Sequence, residues 1–222
     1  MLMQRIKILQ IDGAPTLKGA IWFFILLYSV GVAGLLYPLT FPLFVKLIPF
    51  ALMLSLIALF IFHQNFKLNH IILFIIVFVL SFVIEVIGVK TGSIFGSYHY
   101  GDSLGPKLYD TPLMIGLNWV LLVYLTYSSI ERFNISITLK VIIGASLMLL
   151  YDILLEQVAP VLDMWQWEYN RVPLQNYATW FILALLFHAM LAGFNTKTGN
   201  RLAPYILACQ LSFFAALNIT IK

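Results

Sequence analysis

Apolar residues run in blocks of about a membrane's thickness along most of this chain, and polar positions are confined to the short breaks between them. A hydrocarbon slab of roughly 30 Å takes about 20 apolar residues as helix, whose backbone groups satisfy one another where lipid offers no partner. The pattern predicts seven spans, at residues 19–37, 47–62, 71–89, 112–130, 141–158, 177–193 and 202–217. The expected fold class is therefore all-α: a polytopic membrane protein, a bundle of about seven transmembrane helices forming a single integral membrane domain over residues 1–222. Pro38 and Pro42 close the first span, and Pro49 falls in the first turn of the second, where a missing N–H is harmless. Arg5, Lys7 and Lys18 ahead of an apolar run imitate a signal peptide. The run is longer than a signal core and six spans follow, so it is read as an uncleaved first helix.

Composition removes any soluble alternative. With 62% hydrophobic and 10% charged residues and a mean hydropathy of +0.96, the chain lacks the polar residues for a water-facing shell. The net charge of +4 is spread through the loops, which points to membrane orientation and not to nucleic-acid binding. Arg5, Lys7, Lys18, Lys67, Arg132, Lys140, Lys197 and Arg201 fall on the N-terminal side, against Lys46, Lys90, Lys107, Arg171 and Lys222 on the other. That excess places the N-terminus in the cytoplasm of a multi-pass cell-membrane protein. Of the acids, only Asp12 and Glu131 share the N-terminal side. Cys209 is the single cysteine, so an intrachain disulfide is excluded and a buried inert thiol is expected.

Two stretches depart from plain membrane helix, inside a core of about residues 70–195. The first, Glu85 to Trp119, puts a carboxylate near the end of an apolar run and then breaks into glycine, tyrosine and proline. Asp152 to Trp180 is a looser copy. In each, an aromatic pair spaced by one residue (Tyr98 and Tyr100; Trp165 and Trp167) leads into Pro-Leu and an asparagine (Asn118; Asn176). With seven spans, the third-to-fourth and fifth-to-sixth connections lie on one face of the membrane, so the two copies converge there. Asp152 and Glu156, four apart, share a helix face. Gly88, Gly92 and Gly96 lack the strand-to-helix setting of a phosphate loop and are expected to permit tight turns or close helix approach.

Glu85, Asp152 and Glu156 gather at one end of the bundle with no cation inside any span to pair with them. Low dielectric and mutual repulsion favour keeping at least one of them as a proton-donating acid; the plainer reading leaves them solvated in the headgroup zone. The aromatics carry the same pair of readings. They are either an interfacial belt or ring faces that stabilise a positive charge, worth about 2 kcal/mol or more where water is excluded.

Other membrane chemistries fit less well. His63, His70, His99 and His188 form no paired histidine box for an iron desaturase, and the seventh span has no lysine for a retinal Schiff base. Asp152 and Glu156 resemble one acidic element of membrane prenyltransferases, but the second acid-rich motif and its basic cluster are missing.

The run Glu85-x-x-Gly88-Val89-Lys90-Thr91-Gly92-x-x-Phe95-Gly96-x-Tyr98-x-Tyr100, followed by Pro112 and Trp119, resembles the signature of carotenoid biosynthesis membrane proteins, which include the bacterial and archaeal carotenoid hydratases. Asp152-x-x-x-Glu156 with Trp165-x-Trp167, Pro173-Leu174-x-Asn176 and Trp180 is similar to that family's second motif. Here Gln157-Val158-Ala159-Pro160 follows the acid, where the family's pattern has proline directly after it. The resemblance implies cofactor-free and metal-free addition of water to a terminal isoprenoid double bond of a carotenoid, giving a tertiary alcohol. It implies Glu85, Asp152 and Glu156 as catalytic acids, with Asp152 or Glu85 as proton donor and Glu156 activating water. Tyr98, Tyr100, Trp119, Trp165, Trp167, Asn176 and Trp180 would hold the substrate. The partners it implies are the carotenoid in the bilayer and membrane lipid; association with neighbouring enzymes of the pathway is left open. A proton-coupled transporter or lipid-binding protein, and a carotenoid cyclase or prenyltransferase, are the alternatives.

Overall fold

In the computed structural model, which describes residues 15–64 and 66–221, the apolar blocks become seven helices. They are α1 (Leu17–Leu36), α2 (Phe41–Ile61), α3 (Leu68–Thr91), α4 (Leu113–Glu131), α5 (Ile137–Glu156), α6 (Leu174–Gly193) and α7 (Ala203–Thr220). All seven are long and apolar enough to cross a membrane, as expected of a multi-pass membrane protein. The hydroxyls of Thr16 and Ser136 cap α1 and α5 by accepting the N–H groups of Gly19 and Leu139. Proline occupies the first turn of α2 and of α7. Pro42 thus opens the second helix and does not close the first, which ends at Leu36, and Pro49 lies inside α2. A proline in a first turn loses no bond, so α2 starts at the earlier of two candidate prolines. Of the charges counted for orientation, Arg5, Lys7, Asp12 and Lys222 lie outside the described residues.

The centre of the bundle is α4, enclosed from Met114 to Ile130 at every residue but Leu117. It packs against α2, α3, α5, α6 and α7. The helices around it keep lipid-facing stripes such as Ile72, Ile75 and Val79 on α3. At one end of the bundle the loops interlock: Glu131 accepts the backbone N–H and the hydroxyl of Thr198 at 2.9 and 2.6 Å.

At the other end the structure adds something the hydropathy pattern does not carry. The connections expected as capping loops contain short strands: β1 (Tyr98–Tyr100), β2 (Lys107–Leu108), β3 (Thr111–Pro112) and β4 (Trp165–Trp167). Strands β2 and β3 form a tight hairpin, whereas β1 pairs antiparallel with β4 in the register Tyr98 to Trp167, His99 to Gln166 and Tyr100 to Trp165. The two motif copies do meet on one face, and they meet by backbone pairing. Residues two apart on a strand share a face, so all four aromatic rings point the same way. The glycines serve this corner. Gly92 ends α3 with φ of 64°, a conformation that favours glycine, and a Cβ on Gly88 would stand 2.6 Å from the Phe95 ring packed over it.

Candidate functional site

Beneath the β1–β4 ribbon the two glutamates are held in matching cradles. Glu85, on α3 and 3% exposed, accepts both phenolic O–H groups of β1 on Oε2, from Tyr98 at 2.7 Å and Tyr100 at 2.8 Å. Its Oε1 accepts the indole N–H of Trp119 on α4 at 2.9 Å. Glu156, at the end of α5 and also 3% exposed, accepts both indole N–H groups of β4 on Oε2, from Trp165 at 3.0 Å and Trp167 at 2.8 Å. Its Oε1 accepts the side-chain amide of Asn176 on α6 at 3.1 Å. Each carboxyl group therefore receives two donors from its own aromatic strand and one from the helix that follows it.

The cradles face each other. Tyr98 and Trp167 rings lie 5.0 Å apart, Tyr100 and Trp165 6.1 Å, and Trp119 stacks on Trp180 at 4.2 Å. Both glutamates line one small hollow of about 20 Å³, with Asn118, Asn176 and the aromatic rings. A space of about 10–15 Å³ by this measure holds one water molecule. Burial, and then the Glu85 carboxyl group beside them, holds the phenols of Tyr98 and Tyr100 well above the usual tyrosine value, so both remain donors. Among the described residues no lysine or arginine pairs with any of the three acids; the one ion pair, Lys107 with Asp102 at 2.8 Å, clamps the outer loop.

Nine of the ten residues singled out in the sequence line this hollow: Glu85, Tyr98, Tyr100, Trp119, Glu156, Trp165, Trp167, Asn176 and Trp180. Asp152 does not. It is fully enclosed behind Asn176, whose amide nitrogen donates to Asp152 Oδ2 at 3.1 Å as well as to Glu156 Oε1. Asp152 Oδ1 has no partner among the described residues. Headgroup solvation is excluded for all three acids, each buried to 3% exposure or less. The aromatic pairs also differ from a plain interfacial belt, since their polar ends are turned inward onto carboxyl groups. Three further residues line the hollow: Phe95 and Asn118 belong to the first motif without having been counted among its site residues, and Ile115 is one apolar residue among many.

A second, larger cavity of about 320 Å³ adjoins the hollow, the two sharing Ile115, Asn118 and Trp165. Its walls come from α1, α2, α4, α5 and α7 and are almost wholly apolar. On the lipid side they include the exposed Val30, Phe50 and Leu54. An apolar cavity thus lies next to the hollow that holds the two buried carboxyl groups.

Fold and site together describe a seven-helix membrane protein with a paired-carboxyl centre under an aromatic lid. Residues 40–221 match the family described as carotenoid biosynthesis protein, and the chain belongs to that family. It is also similar to a bisanhydrobacterioruberin hydratase of Haloarcula japonica, at 30% identity over 144 residues, 58% of this chain and 48% of that protein. The chain thus spans about half the length of this curated relative. No solved structure matches it.

Proposed function

We propose that this protein is a carotenoid hydratase, adding water across a terminal isoprenoid C=C by acid catalysis and without a cofactor. The observation that carries the reading is the pairing of Glu85 and Glu156 across a hollow sized for one water, beside an apolar cavity. The name of the Haloarcula relative points the same way.

The kinds of donor around each carboxyl group support different roles for the two. Trp165, Trp167 and Asn176 present only N–H groups to Glu156. Such groups donate and cannot accept from a carboxylic acid, which suits an ionised Glu156 acting as base. Glu85 Oε2 faces two phenols, whose hydroxyls can turn to accept as well as donate, so this group can carry a proton. Glu85 then gives its proton to the less substituted alkene carbon, and the π pair leaves a tertiary cation on the other. The rings walling the hollow stabilise that cation. A water oxygen bonds to it, and Glu156 takes the proton released. Return of that proton from Glu156 to Glu85 resets the pair. Asp152 acts through Asn176, which it helps to orient toward Glu156.

In this reading the whole chain works as one membrane-embedded unit with its N-terminal side in the cytoplasm, taking carotenoid from the bilayer beside membrane lipid and any partner enzymes of the pathway. Expression in cells that accumulate an acyclic carotene tests it by product mass. Gain of one water, lost in Glu85→Gln and Glu156→Gln, is expected. An unchanged mass with a new ring would make the protein a cyclase, added prenyl mass a transferase, and no product with proton-dependent flux a transporter.

A further inference from the structure

One polar side chain at the hollow has no work in the fold. Asn118, on the enclosed helix α4, is 7% exposed. Around it Glu85 and Glu156 accept three bonds each, and the Asn176 amide nitrogen gives two. The Asn118 amide hydrogen-bonds to no described residue, yet neither of its ends is sealed off as Asp152 Oδ1 is. Its remaining accessible surface faces the open space beside it. That space is the hollow and the apolar cavity, both of which Asn118 lines. The repeated scaffold does not call for the residue either. Asn118 stands six positions after Pro112, and six after Pro173 comes Thr179, whose hydroxyl is spent on the carbonyl of Ile94 at 2.7 Å. A buried amide without a partner forfeits the bonds it had in water. This one has room beside it for a guest the size of a single water, in a hollow of about 20 Å³.

We propose that Asn118 holds the water that is added: its amide carbonyl accepts one O–H of a water in the hollow, Glu156 Oε1 accepts the other, and a lone pair of that water faces the carotenoid end. This deepens the hydratase reading and rests on it. A carboxylate offers about four acceptor positions. The two indoles and Asn176 take three on Glu156, and no described residue takes the fourth, on Oε1. A buried water needs two or more polar partners, which Asn118 and Glu156 supply together. Asn118 thereby governs the fate of the cation left when Glu85 gives up its proton. With water held in place, an oxygen lone pair forms the new C–O bond and Glu156 takes the proton from that oxygen. Without it, the same base takes a proton from a carbon next to the cationic centre. The C–H pair then re-forms a double bond, and the carotenoid leaves with its formula unchanged.

Turnover of an acyclic carotene by the full chain, in membranes suspended in D2O, separates the two fates by mass. Glu85 then delivers a deuteron, so addition gives a deuterated alcohol and return gives a deuterated carotene. Asn118→Leu, close to asparagine in shape, should lower alcohol formation about tenfold, the worth of one hydrogen bond. Deuterium should still enter the carotene, so the ratio of deuterated carotene to alcohol rises about tenfold as well. Asn118→Ser, which keeps a hydroxyl, should restore part of the addition. Asn118→Ala removes the amide without adding bulk and should raise the same ratio if the leucine variant does not fold. A merely structural role moves alcohol and deuterated carotene together, and that result in a folded leucine or alanine variant would overturn the proposal. Alcohol formed by those variants at the unaltered rate would overturn it too. In both cases hydration by the unaltered protein leaves the hydratase reading standing. No alcohol from the unaltered protein would remove that reading, and the role of Asn118 with it.

Discussion

The α3–β1–α4 and α5–β4–α6 halves of the molecule solve one problem with different chemistry. Each carries a glutamate near the end of a helix, an aromatic strand that donates twice to it, and a following helix that donates once. The equivalences extend through the sequence. Trp119 lies seven residues after Pro112 as Trp180 lies seven after Pro173, and these two tryptophans stack on each other. The halves differ at chosen points: phenols against indoles, Ile115 against Asn176, Ser81 against Asp152. A repeated scaffold fixes two carboxyl groups face to face, and in the proposed mechanism the unlike donors set which of them holds the proton. Identical halves would have made two equivalent acids, whereas acid–base addition needs unlike partners.

That comparison can be broken most severely at the glutamates. Glu85→Gln and Glu156→Gln should each lower hydration about 10³-fold, since each removes one proton-transfer partner. Full activity in either variant would dissolve the pairing. Exchanging donors comes next. Trp167→Phe should cost about 1.5–3 kcal/mol of stability, the worth of a hydrogen bond to a charged group, against about 0.5–1.5 kcal/mol for Tyr98→Phe beside a neutral one. Thermal unfolding in detergent reads both, and a reversed order would exchange the assignments of Glu85 and Glu156. Asp152→Ser, which copies Ser81 into the second half, should slow turnover only about tenfold, the effect of a loosened positioning contact. Loss on the scale of the glutamates would move Asp152 into the reacting group.

The smallest effect concerns pH. The phenols of Tyr98 and Tyr100 are held well above the ordinary tyrosine value, so the unfolded chain ionises first as pH rises past about 10. Below that value they should contribute no slope to the stability curve, and above it stability should fall. In Tyr98→Phe the fall should be shallower. An equal alkaline slope in that variant would show that the phenol is not the group responsible.

Much of this was legible in the chain because it depends on local order. The seven helices follow from blocks of apolar residues whose length is set by the bilayer, and the repeated acid, aromatic pair and proline stand in plain view. Convergence of the two motifs followed from counting spans. Pro42 and Pro49 both qualify as first-turn prolines, so chain order alone does not choose between them; the helix takes the earlier, with Pro49 inside it. The enclosure of α4 left a faint trace in its serines, threonines and tyrosines, which a lipid-facing helix has little use for.

The sequence by itself determined that the protein lives in a membrane, that its acids collect at one end, and that aromatic residues attend them, since hydropathy and spacing are properties of neighbouring residues. Only the tertiary structure decided that β1 and β4 pair, that tyrosine and tryptophan donate to the glutamates instead of merely lining an interface, that Asp152 stands behind Asn176, and that an apolar cavity adjoins the hollow. Those relations join residues from separate helices. A hydrogen bond requires two groups within about 3 Å of each other in a set direction, and chain order alone carries no such distance.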